Sequence, residues 1–440
     1  MIGIVLLIIA IFLYIRGNKK WSLLLFVCFM SDGLTLLTDS VISIKNKDLA
    51  FTYTIIICIY SFIYERKIKQ QDKILFRAIN IFFIFLLCSV VFSYMHYGFS
   101  FVQILQGGRH HFLFMSYFFL IKTKPEDVKW ILHKLFIITF ITSILYILQV
   151  LTGLPFLSYS LEVRRDASTG LYRYYNSPPL LTLFLYATLL FPDIFKKTFF
   201  KKIAPFVLLA ALFLTLGRTR IFVDLIVLFL GLLLKGKVSK LIRISLVLGI
   251  MLLPFFDVIT ARFTSNNKTE NDLQSIFTGD FKSMALTGVT GDATMSYRFA
   301  WVYERISYLR GRPLDENIFG LGMISDSQTD IVQRKYNFSL GLTDNETGYR
   351  TQLATPDIAY GNLVTQFGYV GGFISLFIWL RLLLITGERR KEDKWIFCLF
   401  LLLADYLLIS FAGSKVSTIA NLVVPFLLIS VLYQSENFYV

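Results

Sequence analysis

Apolar runs dominate this chain, and their length constrains its fold more than any other feature. They fall near 1–15, 21–42, 48–64, 78–97, 110–121, 131–151, 178–194, 203–216, 221–234, 242–259, 360–387, 395–412 and 417–434. Most come close to the roughly 20 residues a helix needs to cross a hydrocarbon core of about 30 Å, though several are shorter. Inside lipid a backbone N–H or C=O has no water to bond, so a continuous apolar run is stable there as a helix that satisfies its own backbone. Composition agrees, since 55% of the 440 residues are hydrophobic and 17% are charged, a balance that excludes a soluble domain of this size. The expectation is an all-α polytopic membrane protein of about twelve or thirteen transmembrane helices forming one domain over residues 1–440. The first run precedes "RGNKK" without a basic leader or a small-residue cleavage site, so it reads as a retained helix.

A net charge of +15 is compatible in principle with nucleic-acid binding, but the basic residues are divided among short loops in a way that topology explains better. The loops "IRGNKK", "YERKIKQQDKILFR", "KTKPEDVK", "KKTFFKK", "KGKVSKLIR" and "GERRKEDK" alternate with less basic ones, which assigns them to the cytoplasm. Three segments then fall outside: a loop over 152–177, the "GRTR" hinge at 217–220, and a hydrophilic cap over 260–359, too long for an ordinary connection.

Several chemistries drop out. The four cysteines lie in apolar runs with no C-x-x-C spacing, and the four histidines form neither H-x-x-x-H nor H-E-x-x-H, so no metal is expected. What remains is arginine. Arg164, Arg165, Arg173, Arg218, Arg220, Arg298, Arg305, Arg310, Arg312 and Arg350 all sit in the expected outer segments, against the usual bias of that face. A guanidinium bonds phosphate oxygens bidentately and is weakly hydrated, so the cluster suits a phosphate or pyrophosphate held at a membrane surface. In "SYRFAWVYERISYLRGRP" helical spacing predicts an apolar packing stripe of Phe299, Val302, Ile306 and Leu309. Beside it runs a ligand-facing stripe of Arg298, Trp301, Arg305, Tyr308 and Arg312.

The runs "GLYRYYNSPPLLTLFLY" (170–186), "LTLGRTRIFVDLIVLFL" (214–230 region), "SYRFAWVYERI…RPLDENIFGLGM" (296–323) and "TPDIAYGNLVTQFGYVGG" (355–372) resemble, in that order, the O-antigen polymerase and O-antigen ligase superfamily. The resemblance covers about residues 150–390. It implies a GT-C-like all-α fold with a long helical extracytoplasmic loop in the bacterial cytoplasmic (inner) membrane, with the active site facing the periplasm or outside. It further implies metal-independent, inverting transfer of glycan from undecaprenyl pyrophosphate without a cofactor, polymerising repeat units into O-antigen, capsule or exopolysaccharide. Partners would be the lipid-linked glycan as donor and acceptor, the bilayer, a chain-length regulator and a flippase, but no nucleic acid.

Carried onto this sequence, the family pattern assigns the pyrophosphate and glycan to Arg173, Arg218, Arg220, Trp301, Arg305 and Tyr360, with Arg298 and Asp357 catalytic. Relatives are expected to carry His-Asn about eleven residues before the first glycine of G-x-x-G; counting back from Gly368 lands on Asp357 and Ile358. A carboxylate there suits a base for the attacking hydroxyl and leans away from a ligase toward a polymerase. Glu162, Asp166 and Glu304 are alternative bases. A same-fold ligase transferring finished glycan to lipid A core, and a flippase for the lipid-linked unit, are the competing readings.

Overall fold

The computed structural model describes residues 2–31, 46–65, 72–157, 164–165, 170–174, 177–195, 198–236, 295–325, 332, 335–341, 350–353 and 358–435, with the backbone alone at 164–165, 218, 295–297 and 434–435. Helix is the prevailing structure. In chain order the helices are α1 (Ile2–Ile15), α2 (Lys19–Met30), α3 (Asn46–Tyr64), α4 (Lys73–Met95), α5 (Phe101–Gly108), α6 (Tyr117–Leu120), α7 (Pro125–Thr152), α8 (Leu181–Leu190), α9 (Thr198–Leu214), α10 (Arg218–Leu234), α11 (Met295–Arg310), α12 (Leu314–Phe319), α13 (Ala359–Glu388), α14 (Lys394–Ile409) and α15 (Val423–Ser435). Short 3-10 segments precede α6 and α15, at His111–Ser116 and Ile419–Leu422. Between α7 and α8, β1 (Arg164–Arg165) pairs antiparallel with β2 (Tyr172–Arg173), Arg164 opposite Arg173. This is one small departure from an all-α chain in the loop expected outside.

Four helices among the described residues, α3, α4, α7 and α13, are long and apolar enough to cross a membrane. That falls short of twelve or thirteen full spans. The run at 110–121 does not form one helix but a 3-10 segment and the four-residue α6. The run at 178–194 yields only the ten residues of α8, about 15 Å of rise or half a hydrocarbon core. Pro178–Pro179 before it and Pro192 after it lack the N–H a continuing helix would need. The run at 21–42 extends into residues outside those described, and the run at 242–259 lies wholly outside them.

Local chemistry sets the ends of the long helices. Pro125 opens α7 with Glu126 and Asp127 in its first turn, and Gly153, at φ 76°, closes it, each where backbone geometry and the helix dipole favour it. Asp72 caps α4 by accepting from the Leu75 N–H at 2.6 Å, and its other oxygen takes Arg381 of α13 at 2.6 Å. Asp393 caps α14 and meets Lys129 of α7 at 3.5 Å. Glu65, just past α3, pairs with Lys19 at 2.5 Å and Lys122 at 3.5 Å. Burial alone would raise the Glu65 carboxyl, but hydrogen bonds from Lys19, Ser61 and Tyr14 and the Lys19 charge outweigh it and hold it below its ordinary value. These contacts gather the turns that follow α1 and α3, precede α7 and separate α13 from α14 at one end of the bundle, the basic end.

At the far end the 313–324 segment is locked onto α13. Gly368 sits inside α13 with φ 64°, breaking the helix, and the freed Thr365 carbonyl accepts from the Leu321 N–H at 2.9 Å. Backbones meet here: a Cβ at Gly368 would stand 2.4 Å from the Ile318 oxygen, and one at Gly320, at φ 75°, would stand 2.5 Å from the Gly368 nitrogen. Gly368→Ala is therefore expected to destabilise the protein by about 2–5 kcal/mol through clash and backbone strain together. Gly311→Ala, whose Cβ meets nothing nearer than 3.6 Å, should leave stability unchanged. Thermal unfolding of the detergent-purified variants checks both, and equal melting temperatures would refute the interlock.

Candidate functional site

Arg220 lies in the first turn of α10. Its Nη1 donates to Ser177 Oγ at 2.6 Å, and its Nε lies 3.7 Å from Oδ2 of Asp224, one turn further along the helix. Arg173, on β2, and Arg220 both act electrostatically on the Tyr146 hydroxyl, which donates to the carbonyls of Tyr174 and Leu214 at 3.4 Å each. Two arginines singled out by the sequence, one in the 152–177 loop and one in the "GRTR" hinge, thus both act on the same hydroxyl. Arg220 keeps 21% of its side chain exposed. The side chain of Arg218 lies outside those described.

Two leucines beside this pair have left-handed backbone, Leu180 and Leu216, both at φ 53°. Leu180 directly precedes α8, and Leu216 stands in the turn between α9 and α10. A branched residue in that region is strained, and such strain gathers where the surroundings hold a site in place.

Beneath Arg220 the interior is ionic, which sequence reasoning missed. Asp224 is 0% exposed and Asp405, on α14, 2%. The buried Tyr186 hydroxyl of α8 lies 3.3 Å from Asp405 Oδ1, 3.5 Å from Asp224 Oδ1 and 3.2 Å from the Asp224 carbonyl. One hydroxyl proton, from α8, faces three acceptors on two other helices, α10 and α14. Lys415, after α14, adds positive charge toward Asp405 and lies 5.7 Å from the Tyr406 ring centre. Asp224 stands six residues into α10, about 9 Å along its axis. Two signals were present in the sequence: an aspartate one turn after Arg220, where such pairs meet, and another within "LLLADYLLI", since an ionisable residue inside an apolar run marks function by default.

The second group of expected site residues goes elsewhere. Along α11 the expected faces hold only in part: Leu309 is buried as expected, but Phe299 is 52% exposed, and Trp301 and Arg305, expected to meet ligand, are buried together with Glu304. Arg305, expected to meet substrate, is only 1% exposed and donates to Glu304 Oε2 at 2.6 Å, to the Gln352 carbonyl at 3.3 Å and to the Leu340 carbonyl. Its guanidinium lies 4.2 Å and 4.4 Å from the ring centres of Trp301 and Phe338. Glu304, an alternative base, accepts from the N–H groups of Ser339 at 2.6 Å and Leu340 at 3.1 Å. A buried charge is tolerable only when paired and fully bonded, and this pair clamps Ser339, Leu340 and Gln352 to α11. Trp301, expected as a sugar platform, packs on α13, where a Cβ at Gly361 would approach its ring to 2.9 Å.

Tyr360 donates to the Leu407 carbonyl at 2.7 Å, and the Ala359 N–H to the Ser410 carbonyl at 3.1 Å, so α13 begins beside the end of the helix that carries Asp405. Arg298 is half-buried on α11. Asp357, Glu162 and Asp166 lie outside the described residues. A separate cavity of about 230 Å³, lined by residues including Lys47, His110, His111, Gln366, Ser417 and Thr418, opens elsewhere among the same helices. Among the described residues no cluster of His, Cys, Asp and Glu is arranged to hold a metal.

No protein-family model matches the chain, and no curated protein matches it.

Arg305→Ala is expected to cost about 3–5 kcal/mol by stranding Glu304 in the interior, while Arg310→Ala, at an exposed position of the same helix, should cost under about 0.5 kcal/mol. Unfolding midpoints and trypsin cleavage within 336–353 report this directly; resistance to cleavage in Arg305→Ala would return that residue to the list of ligand-facing groups.

Proposed function

We propose that the chain is a membrane glycosyltransferase that polymerises undecaprenyl-pyrophosphate-linked repeat units into a surface polysaccharide at the outer face of the bacterial cytoplasmic membrane. The observation that carries this reading is that Arg220, bonded to Ser177, and Arg173 of β2 both act electrostatically on the Tyr146 hydroxyl. The Arg220 side chain stays partly exposed while its Nε lies 3.7 Å from the buried Asp224 carboxylate. Fixed, partly desolvated guanidinium groups suit a diphosphate whose charge grows as the anomeric bond breaks.

In the reaction the acceptor hydroxyl oxygen attacks the anomeric carbon. The bond from that carbon to the diphosphate oxygen breaks, and the lipid diphosphate leaves with the electron pair. The hydroxyl proton passes to a base, for which Asp357 is the proposal, and the configuration inverts. Tyr360 and Ala359, bonded to the end of α14, begin the helix directly after that aspartate, which supports placing the base on the Arg220 side of the cap.

One observation favours the flippase reading instead: Asp224 and Asp405 are buried carboxyl groups within apolar helices, and ionisable groups of that kind mark proton-coupled carriers. Deleting the gene and resolving surface glycan on a gel separates the readings. Single units attached without a ladder mean polymerase; lipid-linked polymer accumulating means ligase; units retained on the cytoplasmic side mean flippase. In the complemented strain Arg220→Lys should lower polymer at least about tenfold at normal protein level, a loss of roughly 1.4 kcal/mol of transition-state binding. A wild-type ladder from Arg220→Ala would remove the pyrophosphate site from this position.

A further inference from the structure

A transfer between two glycans needs a second subsite, for the sugar that attacks, and the Arg173–Arg220 pair does not supply it. The cavity of about 230 Å³ has the matching chemistry. It is smaller than the roughly 300–1,000 Å³ of pockets for drug-sized ligands, a volume suited to one sugar ring rather than a disaccharide or a lipid chain. Among the described residues no arginine and no carboxylate lines it, and the one charged side chain there, Lys47, is exposed. A diphosphate would find no guanidinium fork there. Its polar lining consists of imidazole, amide and hydroxyl groups, from His110, His111, Gln366, Ser417 and Thr418, of which the hydroxyls and amide both donate and accept, as sugar hydroxyls do. Apolar Leu113, Ile419 and Ala420 complete the wall, giving the C–H face of a ring a surface to lie on.

Two polar atoms at this wall, Nδ1 of His111 and Oε1 of Gln366, are buried and make no hydrogen bond. The His111 ring is held edge-on against Phe367 at 4.5 Å. Unsatisfied buried groups are uncommon in folded proteins and call for an explanation; a ligand rich in hydroxyls that reorders these side chains provides one. The cavity also shares a segment with the proposed pyrophosphate site. Ser417, Thr418, Ile419 and Ala420 line it, and Lys415, five residues or fewer before them, directs its charge toward Asp405.

We propose that this cavity is a subsite for a single uncharged sugar residue, the terminal residue of the acceptor glycan. The assignment to an acceptor rests on the polymerase reading; the sugar chemistry does not. Saturation-transfer NMR on the detergent-purified full chain, with a panel of methyl glycosides of common hexoses and N-acetylhexosamines as probes, tests it. At least one glycoside should give a signal in the wild type. Ala420→Trp, which fills the cavity, should abolish that signal, and Gln366→Leu, nearly equal in volume, should reduce it about fivefold through loss of a hydrogen-bonding group. Gln366→Leu carries the test if the tryptophan prevents folding, with unchanged melting temperature as the control. No signal from any glycoside, or a signal equal in wild type and both folded variants, overturns the proposal. If the gene deletion leaves polymer intact while the glycoside signal still depends on Gln366, the polymerase reading fails and the sugar site stands. If deletion abolishes polymer while no glycoside binds, the reverse holds.

Discussion

A helix that breaks within a membrane must hand its freed backbone groups to a partner, because lipid offers none. Helix α13 breaks at Gly368, and the partner is the segment that follows α12: the Thr365 carbonyl takes the Leu321 N–H. This one exchange writes part of the cap into the membrane domain. It works only because Gly320 and Gly368 let two backbones approach within distances no side chain would allow. The same break leaves α13 in two parts. The first seats Trp301 through Gly361, and the second reaches the basic end, where Arg381 meets the Asp72 cap of α4. Cap, membrane helices and basic turns are therefore held by one helix whose kink is satisfied from outside itself.

Buried ions occur in two arrangements, and their bonding separates their roles. Glu304 and Arg305 are adjacent, almost wholly buried, and consumed by main-chain partners from the 336–353 segment. Such a pair is strongly destabilising to break and has little left to offer a ligand. Arg220 differs. Its carboxylate partner stands 3.7 Å away, its other contact is a hydroxyl, and part of the guanidinium remains exposed. Below it Asp224, Asp405 and Tyr186 tie α8, α10 and α14 together, so the cation is aimed by three helices and not by its own turn alone. The strained Leu180 and Leu216 on either side fit a site whose geometry the scaffold imposes.

Much of this was legible in the residues themselves. Helix as the prevailing structure follows from apolar runs that only hydrogen-bonded helices can carry through lipid. The gathering of basic turns at one end follows from how lysine and arginine alternate between loops. That Arg220 would find partners was readable, because an arginine beside an apolar run is costly without them, and it meets Ser177 and Asp224. Asp405 was readable too, as a carboxylate inside "LLLADYLLI", by the same rule of cost.

Other features depend on distances between residues far apart in the chain, which no local pattern encodes. Which stripe of α11 would be buried was decided by Leu340 and Gln352, whose carbonyls made it favourable to bury Arg305 and leave Phe299 exposed. The apolar run at 110–121 did not become a span, since periodicity and length describe what a segment is able to form, whereas its neighbours determine what it does form. The cavity beside His111 and Gln366 joins residues from six separate stretches. Composition and spacing determined that this chain would be helical and apolar enough to cross a membrane, because those follow from transfer costs paid residue by residue. Tertiary structure alone decided that Arg305 is wholly buried while Arg220 stays partly exposed, because that depends on whether distant carbonyls and carboxylates arrive within hydrogen-bonding range.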